Sequence, residues 1–417
     1  MALIYGLADM QSFYASCEVA SRPEYASKRT QWEDGSDPAL VVAGDPERRS
    51  GIILAATPAA KSKGITTAMR LGEALRLSPS LVVVRPRMRF YLEVSVRIQE
   101  LMREMFPLQE QFSVDEGFFA FPYPADPFSD PLALAREFQN RVWEQFRIRC
   151  RVGLAPNKWL AKMANGRAKK VQGGVLWWRE EDVPAVIRDL SVFDMWGLKK
   201  RAQTLHDEFR CETIGDVSRV PAGRLRQRFG VWGDVIHDWS CGVDHSSIHP
   251  DSYDASHKSY SHRTTLPRDF FDREDIAVVI LELLDEVCRR VRKAGMKGRR
   301  IGLGLTYARF EGGFARARTL DRYEEESDAL YPMVLQLLDR HWDGSGVRAV
   351  GVSLDELRPA GAIQLSLFED PLKRQRVTHT VDVIRDRFGE TAIFRASSLT
   401  KAGQLLDRSR KIGGHWE

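Results

Sequence analysis

Carboxylates at the ends of apolar, strand-like segments are the feature of this sequence that most restricts its fold. Asp9 follows the apolar run of residues 3–8, and Asp115 and Glu116 separate two further apolar runs. Removing a carboxylate from water costs free energy unless a cation or hydrogen-bond donors compensate for the loss. Three carboxylates that converge at strand ends form the hard-oxygen site that Mg²⁺ prefers, so these residues are candidate metal ligands.

A simpler interpretation of the same residues needs no metal ion. Asp9 can cap the helix that follows it, and Asp115 and Glu116 can lie in a solvated turn. The metal interpretation also carries a geometric requirement, because neighbouring residues of a strand point to opposite faces of a sheet. Asp115 and Glu116 can reach one pair of ions only if the backbone turns sharply between them. Spacing alone leaves both interpretations open.

The first half of the chain alternates strand and helix patterns without the regular order of a parallel βαβ sheet. A helical pattern follows Asp9, and a longer one covers about residues 90–105. Pro156 and Asn157 are typical of a helix start and follow an apolar strand at 150–154. These patterns predict a mixed α+β domain. Further strand patterns lie at 39–43, 51–55, 81–84, 110–114 and 117–121.

The second half begins with a helical stretch from about 186 to 242. A segment rich in Ser, His, Asp and Pro at 244–257 lacks periodicity, which predicts a linker. A second α+β unit follows the linker, and the 417 residues of the chain leave room for several domains. Its predicted strands lie near 259–266, 300–307 and 347–354, and its predicted helices at about 273–294 and 324–342.

Positive charge is concentrated in this second α+β unit. Residues 258–318 hold 14 basic and 8 acidic side chains, a net charge of +6, whereas the whole chain has a net charge of +5. Such a concentration is typical either of solvated helix ends or of a phosphate-binding surface, and the sequence alone favours neither. The candidate phosphate contacts in this basic run are Arg289, Arg290, Arg299 and Arg300.

Composition excludes several other classes of protein. At 43% hydrophobic residues the chain can bury enough surface to fold, so disorder is excluded as its main state. No apolar run approaches the roughly 20 residues that span a bilayer, and the first residues lack the pattern of a signal peptide. The five cysteines are scattered without a metal-binding spacing, which is typical of a reducing compartment. We therefore expect a cytoplasmic protein with no membrane partner.

The predicted helix after Pro156 carries lysines at helical spacing. Lys158 and Lys162 are four residues apart and share one face of the helix, where they could contact a triphosphate. An exposed amphipathic helix explains them equally well. Lys61 and Lys63 would add charge if their segment lies over the same cleft.

Three segments resemble the motifs of the Y-family, or lesion-bypass, DNA polymerases. Residues 9–18, DMQSFYASCE, resemble the opening motif of that family, and residues 112–118, FSVDEGF, resemble its motif S-[IV]-D-E-[AG]-[FY]. Residues 153–170 resemble the segment G-[IL]-[AGS]-x-[NT]-K-x-[LF]-A-K-[ML]-A-[NS]. The order and approximate spacing of the motifs agree as well. Within the family the chain resembles the UmuC-like branch, and specifically the UvrX type of Gram-positive bacteria.

The resemblance implies an α+β multidomain fold of the right-hand polymerase type, with palm, fingers, helical thumb and a C-terminal little-finger domain. The palm would carry the catalytic residues, and the little finger would bind DNA. In chain order the resemblance assigns residues to palm (1–30 and 72–185), fingers (31–71), thumb (186–243), linker (244–257), little finger (258–360) and a clamp-binding peptide with a basic tail (361–417).

The implied activity is template-directed, low-fidelity DNA synthesis past template lesions, catalysed by a DNA-directed DNA polymerase. In this reaction the primer 3′-hydroxyl attacks the α-phosphate of a dNTP with the help of two Mg²⁺ ions. Asp9, Asp115 and Glu116 would hold both ions, and the backbone carbonyl of Met10 would complete one ligand shell.

The resemblance also implies contacts with the incoming dNTP from Phe13, Tyr14, Lys61 and Lys162. Tyr14, five residues after Asp9, matches the steric gate whose ring excludes a ribose 2′-hydroxyl. A buried core aromatic would be the interpretation of Tyr14 without the motif. The two lysines would neutralise charge on the triphosphate.

The fingers segment departs from the family pattern. Ala56 and Pro58 stand where larger or polar residues are common, so the contacts usually made from there to the nucleotide are not implied for this chain. Residues 31–38 also resemble an insertion. Small residues such as Gly51, Ala55 and Ala56 would leave room for damaged template bases.

Residues 194–201, DMWGLKKR, resemble the helix-hairpin-helix of the family's thumb. Such a hairpin presents backbone N–H groups to a DNA phosphate, and Lys199, Lys200 and Arg201 would add positive charge. A plain helix-loop-helix is the alternative. The basic run of the second α+β unit would grip duplex phosphates of the primer-template without reading the sequence.

Residues 364–368, Gln-Leu-Ser-Leu-Phe, resemble the peptide that binds the bacterial sliding clamp. Gln364 would be the polar anchor, and Leu365, Leu367 and Phe368 would fill an apolar groove. A short buried strand is the alternative. The resemblance also implies the SOS response as the setting, with a recombinase filament or other SOS accessory proteins as further partners.

Two rival functions remain open at this point. A catalytically silent scaffold of the same fold would bind DNA and the clamp, but such relatives lose the carboxylates that this chain retains. An unrelated Mg²⁺-dependent nucleotidyltransferase or nuclease would use the same acidic side chains. The proposed metal site depends on one geometric expectation, namely that residue 9 lies beside residues 115 and 116.

Overall fold

A computed structural model describes residues 2–31, 36–44, 51–123, 130–250, 257–361, 371–412 and 415–416. The chain forms two compact units, Met1–Asp254 and Ala255–Glu417. The boundary between the units falls inside the segment 244–257 that the sequence predicts to be a linker. Within these described stretches, none of the helices is both long enough and apolar enough to cross a bilayer.

The first unit combines strands and helices in mixed order, which confirms the predicted α+β class. The predicted elements agree with the observed ones to within a few residues, whereas the helices α2, α3, α4 and α6 and the strand β8 were not predicted. Its elements are β1 (Ala2–Met10), α1 (Phe13–Ala20), α2 (Pro23–Ala26), β2 (Leu40–Ala43), β3 (Ile53–Ala56), α3 (Pro58–Lys61), α4 (Leu71–Leu77), β4 (Val82–Val84), α5 (Met88–Met105), β5 (Leu108–Gln111), β6 (Glu116–Tyr123), α6 (Pro131–Phe146), β7 (Cys150–Ala155), α7 (Lys158–Ala168), β8 (Val175–Trp177), α8 (Val183–Arg188), α9 (Lys200–Phe209), α10 (Ile214–Arg219), α11 (Ala222–Phe229) and α12 (Val231–Ser240).

The central sheet of this unit has the strand order β5-β6-β1-β7-β8. Strand β1 lies in the middle and pairs antiparallel with both β6 and β7, whereas β7 and β8 are parallel. The order places the end of β1 between the start of β6 and the start of β7. Polar residues at these three strand ends are therefore brought to one edge of the sheet.

Helix α7 lies close against the central sheet. The Asn157 side chain caps the helix by accepting from the Leu160 N–H at 2.9 Å, as the sequence predicts for this helix start. The amide of Asn165 donates to the carbonyls of Leu7 and Arg151 at 3.1 and 3.0 Å. Gly153 permits this approach, because a Cβ there would lie 2.1 Å from the Asn165 nitrogen. The side chains of α7 are thus fixed relative to the strand ends.

A small three-stranded sheet and a helical segment flank the central sheet. The small sheet has the order β3-β2-β4 and a separate core that includes Val41, Ile53 and Leu71. The helical segment α8–α12, by contrast, shares one continuous core with α7, in which Trp159 and Leu205 are buried. Residues of α7 and of the helical segment are therefore packed into one continuous body.

The second unit is a four-stranded antiparallel sheet of order β11-β10-β12-β9, with the two long helices α13 and α14 packed on one face. Strand β11 was not predicted, and the predicted helix start at 324 belongs to that strand. The elements are β9 (Ser259–Phe270), α13 (Arg273–Lys293), β10 (Met296–Tyr307), β11 (Gly313–Glu324), α14 (Ser327–His341), β12 (Val347–Asp355), β13 (Arg358–Pro359), α15 (Pro371–Phe388), α16 (Leu405–Arg408), β14 (Lys411–Ile412) and β15 (His415–Trp416).

The C-terminal segment folds back onto α13 through ion pairs. The Arg292 guanidinium binds Asp382 of α15 at 2.7 Å. Arg395 binds Asp285 of α13 at 2.8 Å. Both oxygens of the buried Glu282 accept from the backbone N–H of Gln404. The described part of this basic tail is therefore attached to the second unit rather than separate from it.

Candidate active site

The structure brings Asp9, Asp115 and Glu116 together at one edge of the central sheet. Asp9 and Glu116 are direct partners across β1 and β6, so their side chains leave the sheet on the same face. The Met10 N–H donates to the Asp115 carbonyl at 2.9 Å. The geometric expectation that residue 9 lies beside residues 115 and 116 is met.

The backbone turns between β5 and β6 in the way that the metal interpretation requires. The N–H groups of Phe112 and Ser113 both donate to the Glu116 carbonyl, at 3.1 and 3.0 Å. Asp115 therefore lies in a tight hairpin turn rather than in a strand, and the alternation of faces does not separate it from Glu116. Its carboxylate accepts from the Ser113 hydroxyl at 2.7 Å.

Negative charge is concentrated at this edge of the sheet. Burial, together with the neighbouring carboxylates of Glu116 and Asp115, raises the pKa of Asp9 to about 7. Burial also raises the pKa of Asp115, although the Ser113 hydroxyl opposes the shift. Lys162 supplies a compensating positive charge, because its ammonium forms an ion pair with Glu116.

This donor set fits Mg²⁺ in charge and in chemical kind. Three carboxylate groups face one ammonium group, and the raised pKa of Asp9 shows that their charge is incompletely balanced. Across the part of the chain that the structure describes, no three Asp, Glu, His or Cys side chains are oriented as a finished metal site. Asp115 accepts instead from Ser113, and Glu116 accepts from Lys162.

A cleft of about 660 Å³ opens beside the carboxylates. Its walls include Asp9, Met10, Phe13, Tyr14, Lys61 and Asp115, which are all among the sequence-predicted site residues. Arg151 and Lys169 also line the cleft, and the sequence analysis missed both. Arg151 lies directly opposite Asp9 on β7, a pairing across distant residues that no local sequence pattern shows. The cleft therefore combines acidic, basic and aromatic groups.

Tyr14 stands on a rigid aromatic support. Its ring stacks on the buried ring of Tyr91 at a centroid distance of 4.7 Å. The Tyr91 hydroxyl donates to the Glu18 carboxylate at 2.6 Å, and Arg87 binds the same carboxylate at 2.9 Å. Burial opposes ionisation of Glu18, but hydrogen bonds from Arg87, Tyr91 and Arg22 outweigh it and lower the pKa. The position of the Tyr14 ring is thus set by a buried charge network.

Lys61 reaches the turn that connects β1 to α1. Its ammonium donates to the Ser12 hydroxyl at 2.8 Å, and Ser12 adopts a left-handed backbone conformation with φ of 51°. Pro58 occupies the first position of α3, where a backbone N–H would have no partner within the helix, so a proline costs no hydrogen bond there. The buried Thr57 caps that helix. Ala56 and Pro58 line the cleft as small, apolar walls.

The other lysines lie apart from the cleft. The ammonium of Lys158 binds Glu110 at 2.8 Å and the Ser247 carbonyl at 3.0 Å, so it fastens the start of the linker. Lys158 and Lys162 lie one turn apart on α7 and pair with different carboxylates, so their joint contact with a triphosphate stays a prediction. Lys63 donates to Ser78 at 3.3 Å.

A buried ion cluster connects the small sheet to the central sheet. Asp37 accepts from Arg29 at 2.8 Å and from Arg149 at 2.7 Å, and the side chains of all three are at most 5% exposed. The Arg149 carbonyl accepts from the Gln11 N–H at 2.9 Å, next to the cleft. Asp37 belongs to the segment 31–38 that resembles an insertion, and sequence reasoning gave it no role.

Residues 194–201 form a hairpin before α9. Gly197 has φ of +92° and lies against Trp239, whose ring would be 3.1 Å from an added Cβ. Lys199 and Lys200 are exposed at the hairpin, and Arg201 lies over the Trp232 ring at 4.5 Å. The predicted basic hairpin is thus present with its charges at the surface.

The four arginines of the basic run differ in their surroundings. Arg289 is only 14% exposed and is paired with Asp386 and Glu390 of the C-terminal segment, so it does not present a free phosphate-binding group. Arg290 lies over the Tyr260 ring, and Arg299 donates to a backbone carbonyl. Arg300 is exposed on the sheet face opposite the helices, and its direct cross-strand partners are Thr319 and Asp355. Small residues, namely Gly302, Gly304, Ala317 and Gly351, continue the same face further along the strands.

The predicted clamp-binding residues Gln364, Leu365, Leu367 and Phe368 lie outside the described residues. The flanking described elements are β13, which pairs with β10, and α15.

Two family models match the chain. Residues 8–166 match the impB/mucB/samB family, and residues 257–367 match the impB/mucB/samB family C-terminal domain. The first match contains every residue of the cleft described above except Lys169. The second contains the four-stranded sheet of the second unit.

Similar proteins cover almost the whole chain. DNA polymerase IV 2 of Bacillus subtilis (strain 168) is 38% identical over 99% of this chain and 98% of its own length. DNA polymerase IV of Pelotomaculum thermopropionicum is 39% identical over 96% of this chain and 97% of its own length. The putative UV-damage repair protein UvrX of Bacillus subtilis is 34% identical over 98% and 96%.

Solved structures share the fold. A Y-family DNA polymerase chimera of Dbh and Dpo4 superimposes with a TM-score of 0.69 at 22% identity, covering 85% of this chain and 99% of the chimera. An insertion ternary complex of Dbh DNA polymerase superimposes with a TM-score of 0.55 at 21% identity over the same shares.

Proposed function

The chain belongs to the impB/mucB/samB family, the Y-family of DNA polymerases, and from this premise we propose that it performs template-directed, low-fidelity DNA synthesis past template lesions. The observation that carries the proposal is the meeting of Asp9, Asp115 and Glu116 beside a cleft that is lined by basic and aromatic groups. The rival scaffold function is not favoured, because all three carboxylates are present and lie together.

We assign the binding of two Mg²⁺ ions to Asp9, Asp115, Glu116 and the Met10 carbonyl. When bound, the two ions would lower the pKa of the primer 3′-hydroxyl and neutralise charge on the departing pyrophosphate. The residues themselves contribute position and charge, since β1, β6 and the hairpin turn fix three carboxylates within one small volume. Fixed groups of this kind do not have to reorganise when charge develops in the transition state.

The nucleotide would lie in the cleft with its phosphates toward basic groups. Lys61, Arg151 and Lys169 surround the cleft and can neutralise a triphosphate. Lys162 would reach the same phosphates once Glu116 no longer holds its ammonium. Phe13 and Tyr14 form the wall toward the sugar, and the Tyr14 ring, supported by Tyr91, would exclude a 2′-hydroxyl.

We assign the parts of the chain to polymerase domains on the basis of these positions. The central sheet with its helices is the palm, the small sheet is the fingers, and the helical segment with the hairpin 194–201 is the thumb. The second unit is the little finger. Primer-template DNA would contact the backbone and lysines of the hairpin and the open sheet face around Arg300, where small residues let a phosphate backbone approach closely.

Further partners follow from the family and from the sequence. We propose that residues 364–368 bind the bacterial sliding clamp and that SOS accessory proteins, such as a recombinase filament, act on the enzyme. All five cysteines are free, which supports our proposal that the protein works in the reducing cytoplasm.

Primer extension with purified protein tests the proposed function. A labelled primer annealed to a longer template, incubated with Mg²⁺ and dNTPs, should be elongated one nucleotide at a time on a denaturing gel. An unchanged primer would indicate the scaffold, and a shortened primer would indicate a nuclease. Templates that carry an abasic site, an alkylated base or a photodimer would then show which lesions are passed.

A further inference from the structure

The thumb hairpin touches the lysine that neutralises the catalytic carboxylates. We infer that Trp196 of the hairpin, together with Phe112, positions the Lys162 ammonium. The hairpin proposed to bind DNA and the lysine proposed to bind the nucleotide would then be coupled structurally. This inference rests on the proposed function and adds a positioning residue to it. Its basis is a set of contacts that run from the hairpin through α7 to Glu116.

The hairpin is fastened along one face of α7. The Trp159 indole N–H donates to the Trp196 carbonyl at 3.2 Å, and the Trp196 N–H donates to the Met163 sulfur at 3.4 Å. Arg167 donates to Asp194 at 2.9 Å. Residues 159, 163 and 167 follow each other at intervals of four and therefore lie on one side of the helix. The hairpin is thus held by three successive turns of α7.

Lys162 lies next to that face and points at Glu116. Its ammonium is 5.6 Å from the centroid of the Phe112 ring and 6.0 Å from that of the Trp196 ring. The two rings contact each other edge to face at 5.8 Å. An ammonium within about 6 Å of two aromatic rings is attracted by both, most strongly where water is excluded. The Lys162 side chain is only 15% exposed, so this condition is met.

The backbone of the hairpin prevents Trp196 from shifting independently. Gly197 has a positive φ and abuts Trp239, and Lys199 also has a positive φ of 45°. Trp239 in turn packs against Trp196 at 6.3 Å and stacks on Trp159 at 5.5 Å. A displacement of the hairpin would therefore carry the Trp196 ring with it and remove one of the two rings that hold the ammonium.

Single-nucleotide incorporation kinetics test the inference in a double-mutant cycle. We expect Trp196→Leu to raise the KM for dNTP by about two- to thirtyfold, the range between the loss of an exposed and of a desolvated cation–π contact. The Kd for primer-template, measured by fluorescence anisotropy, should stay the same because the hairpin backbone is retained. Lys162→Met should raise the KM more, and the double variant should be no worse than Lys162→Met alone. Additive effects would overturn the inference.

Matched variants separate positioning from a general loss of packing. Trp196→Phe keeps a ring beside the ammonium and should restore most of the wild-type KM. Phe112→Leu removes the other ring from an exposed site and should raise the KM in the same direction as Trp196→Leu. Trp177→Leu removes a tryptophan of β8 that touches none of these groups and should leave the KM unchanged. An equal effect of Trp177→Leu, or no rescue by Trp196→Phe, would contradict the positioning role.

Urea unfolding of the same variants provides a measurement that does not depend on activity. If Trp196 and Lys162 interact, the unfolding free energies of the two single variants should not add up to that of the double variant. Additive free energies would overturn the contact itself. Coupled free energies with additive KM values would show that the contact is only structural, which also overturns the inference. If the variants show coupled unfolding free energies but the wild-type protein does not extend a primer, the proposed function fails while the contact stands. The two failures are therefore distinguishable.

Discussion

Asp9 and Glu116 face each other directly across β1 and β6, at the edge where the hairpin turn also places Asp115. Burial and the two neighbouring carboxylates raise the pKa of Asp9 to about 7. A buried pair of acids opposed by one lysine costs stability in its ionised form, and the cost is greatest where no cation is bound. The site therefore carries negative charge that the side chains of the protein alone do not balance.

The raised pKa of Asp9 predicts a stability that falls with rising pH. Between the usual value of 3.8 and about 7 the folded chain holds a proton that the unfolded chain has released. The free energy of unfolding should therefore decrease as pH rises through this window, by at most about 4 kcal/mol for this group. Urea unfolding in the presence of EDTA at pH 5 and pH 8 measures the decrease, and Asp9→Asn should flatten it. The same slope in Asp9→Asn would contradict the assignment, whereas Mg²⁺ should stabilise the wild type more at pH 8 than at pH 5.

Removal of Asp115 or Glu116 should stop DNA synthesis without preventing DNA binding. Asp115→Ala and Glu116→Ala each remove a proposed metal ligand, and we expect primer extension to fall by at least about a thousandfold. Anisotropy with labelled primer-template should show nearly unchanged affinity. Glu104→Ala, which alters an exposed carboxylate on α5, is the control. Full extension by purified Asp115→Ala protein would defeat the catalytic assignment.

Tyr14→Ala should admit ribonucleotides. The Tyr14 ring is supported by Tyr91 at 4.7 Å, so its removal opens the wall toward the sugar without any large side chain to replace it. We expect the preference for dCTP over CTP, measured as a ratio of kcat/KM values, to fall about tenfold or more. Tyr25→Ala is the control, and an unchanged ratio in Tyr14→Ala would remove the gate assignment.

In the second unit, exposed arginines should contact DNA, whereas arginines that are paired within the fold should not, even where they are neighbours in the sequence. Arg300→Ala alters the open sheet face, and so does Arg263→Ala, which removes an exposed arginine of β9 opposite Gly351. Each should weaken DNA binding and reduce the salt dependence of log K by about one. Arg289→Ala should leave DNA affinity unchanged and lower the unfolding midpoint, because it deprives Asp386 and Glu390 of their partner. A loss of affinity in Arg289→Ala equal to that in Arg300→Ala would contradict this division.

The proposed clamp-binding peptide can be tested without knowledge of its conformation. Replacement of Leu367 and Phe368 by alanine should abolish retention of the protein on immobilised bacterial sliding clamp, because apolar anchors carry most of the affinity of such peptides. Leu399→Ala and Leu406→Ala, which alter exposed leucines of the C-terminal segment, serve as controls. Retention of the double variant would exclude residues 364–368 as the binding peptide.

Local patterns predicted most of the fold because they are read from neighbouring residues. The apolar run before Asp9, the two short runs around Asp115 and the capped start of α7 all correspond to observed elements. Strand β11 was missed because its sequence alternates alanine and arginine after a glycine pair, and on an exposed edge strand the apolar side of the alternation is almost absent. Most side chains of β11 are exposed, so its sequence shows hardly any buried face.

The parts of the site that sequence could not predict depend on contacts between distant residues. Arg292 and Asp382 are separated by 90 positions, so no local pattern shows that the basic run is partly neutralised by the tail. The same holds for Asp37 with Arg149 and for Arg151 opposite Asp9. A count of charges along the sequence gives the number of basic side chains. Ion pairs formed across the fold decide how many of these side chains can bind a phosphate.

The anchoring of the C-terminal segment limits how far the proposed clamp peptide can travel. Strand β13 ends at Pro359 and α15 begins at Pro371, and both elements are attached to the same unit. Eleven residues tethered at both ends can extend only about 20 Å from their attachment points, because a fully stretched chain spans at most about 3.6 Å per residue. A large ring-shaped partner bound there would be held within this distance of the second unit, so the protein could reach fewer positions around that partner than with a free-ended tail.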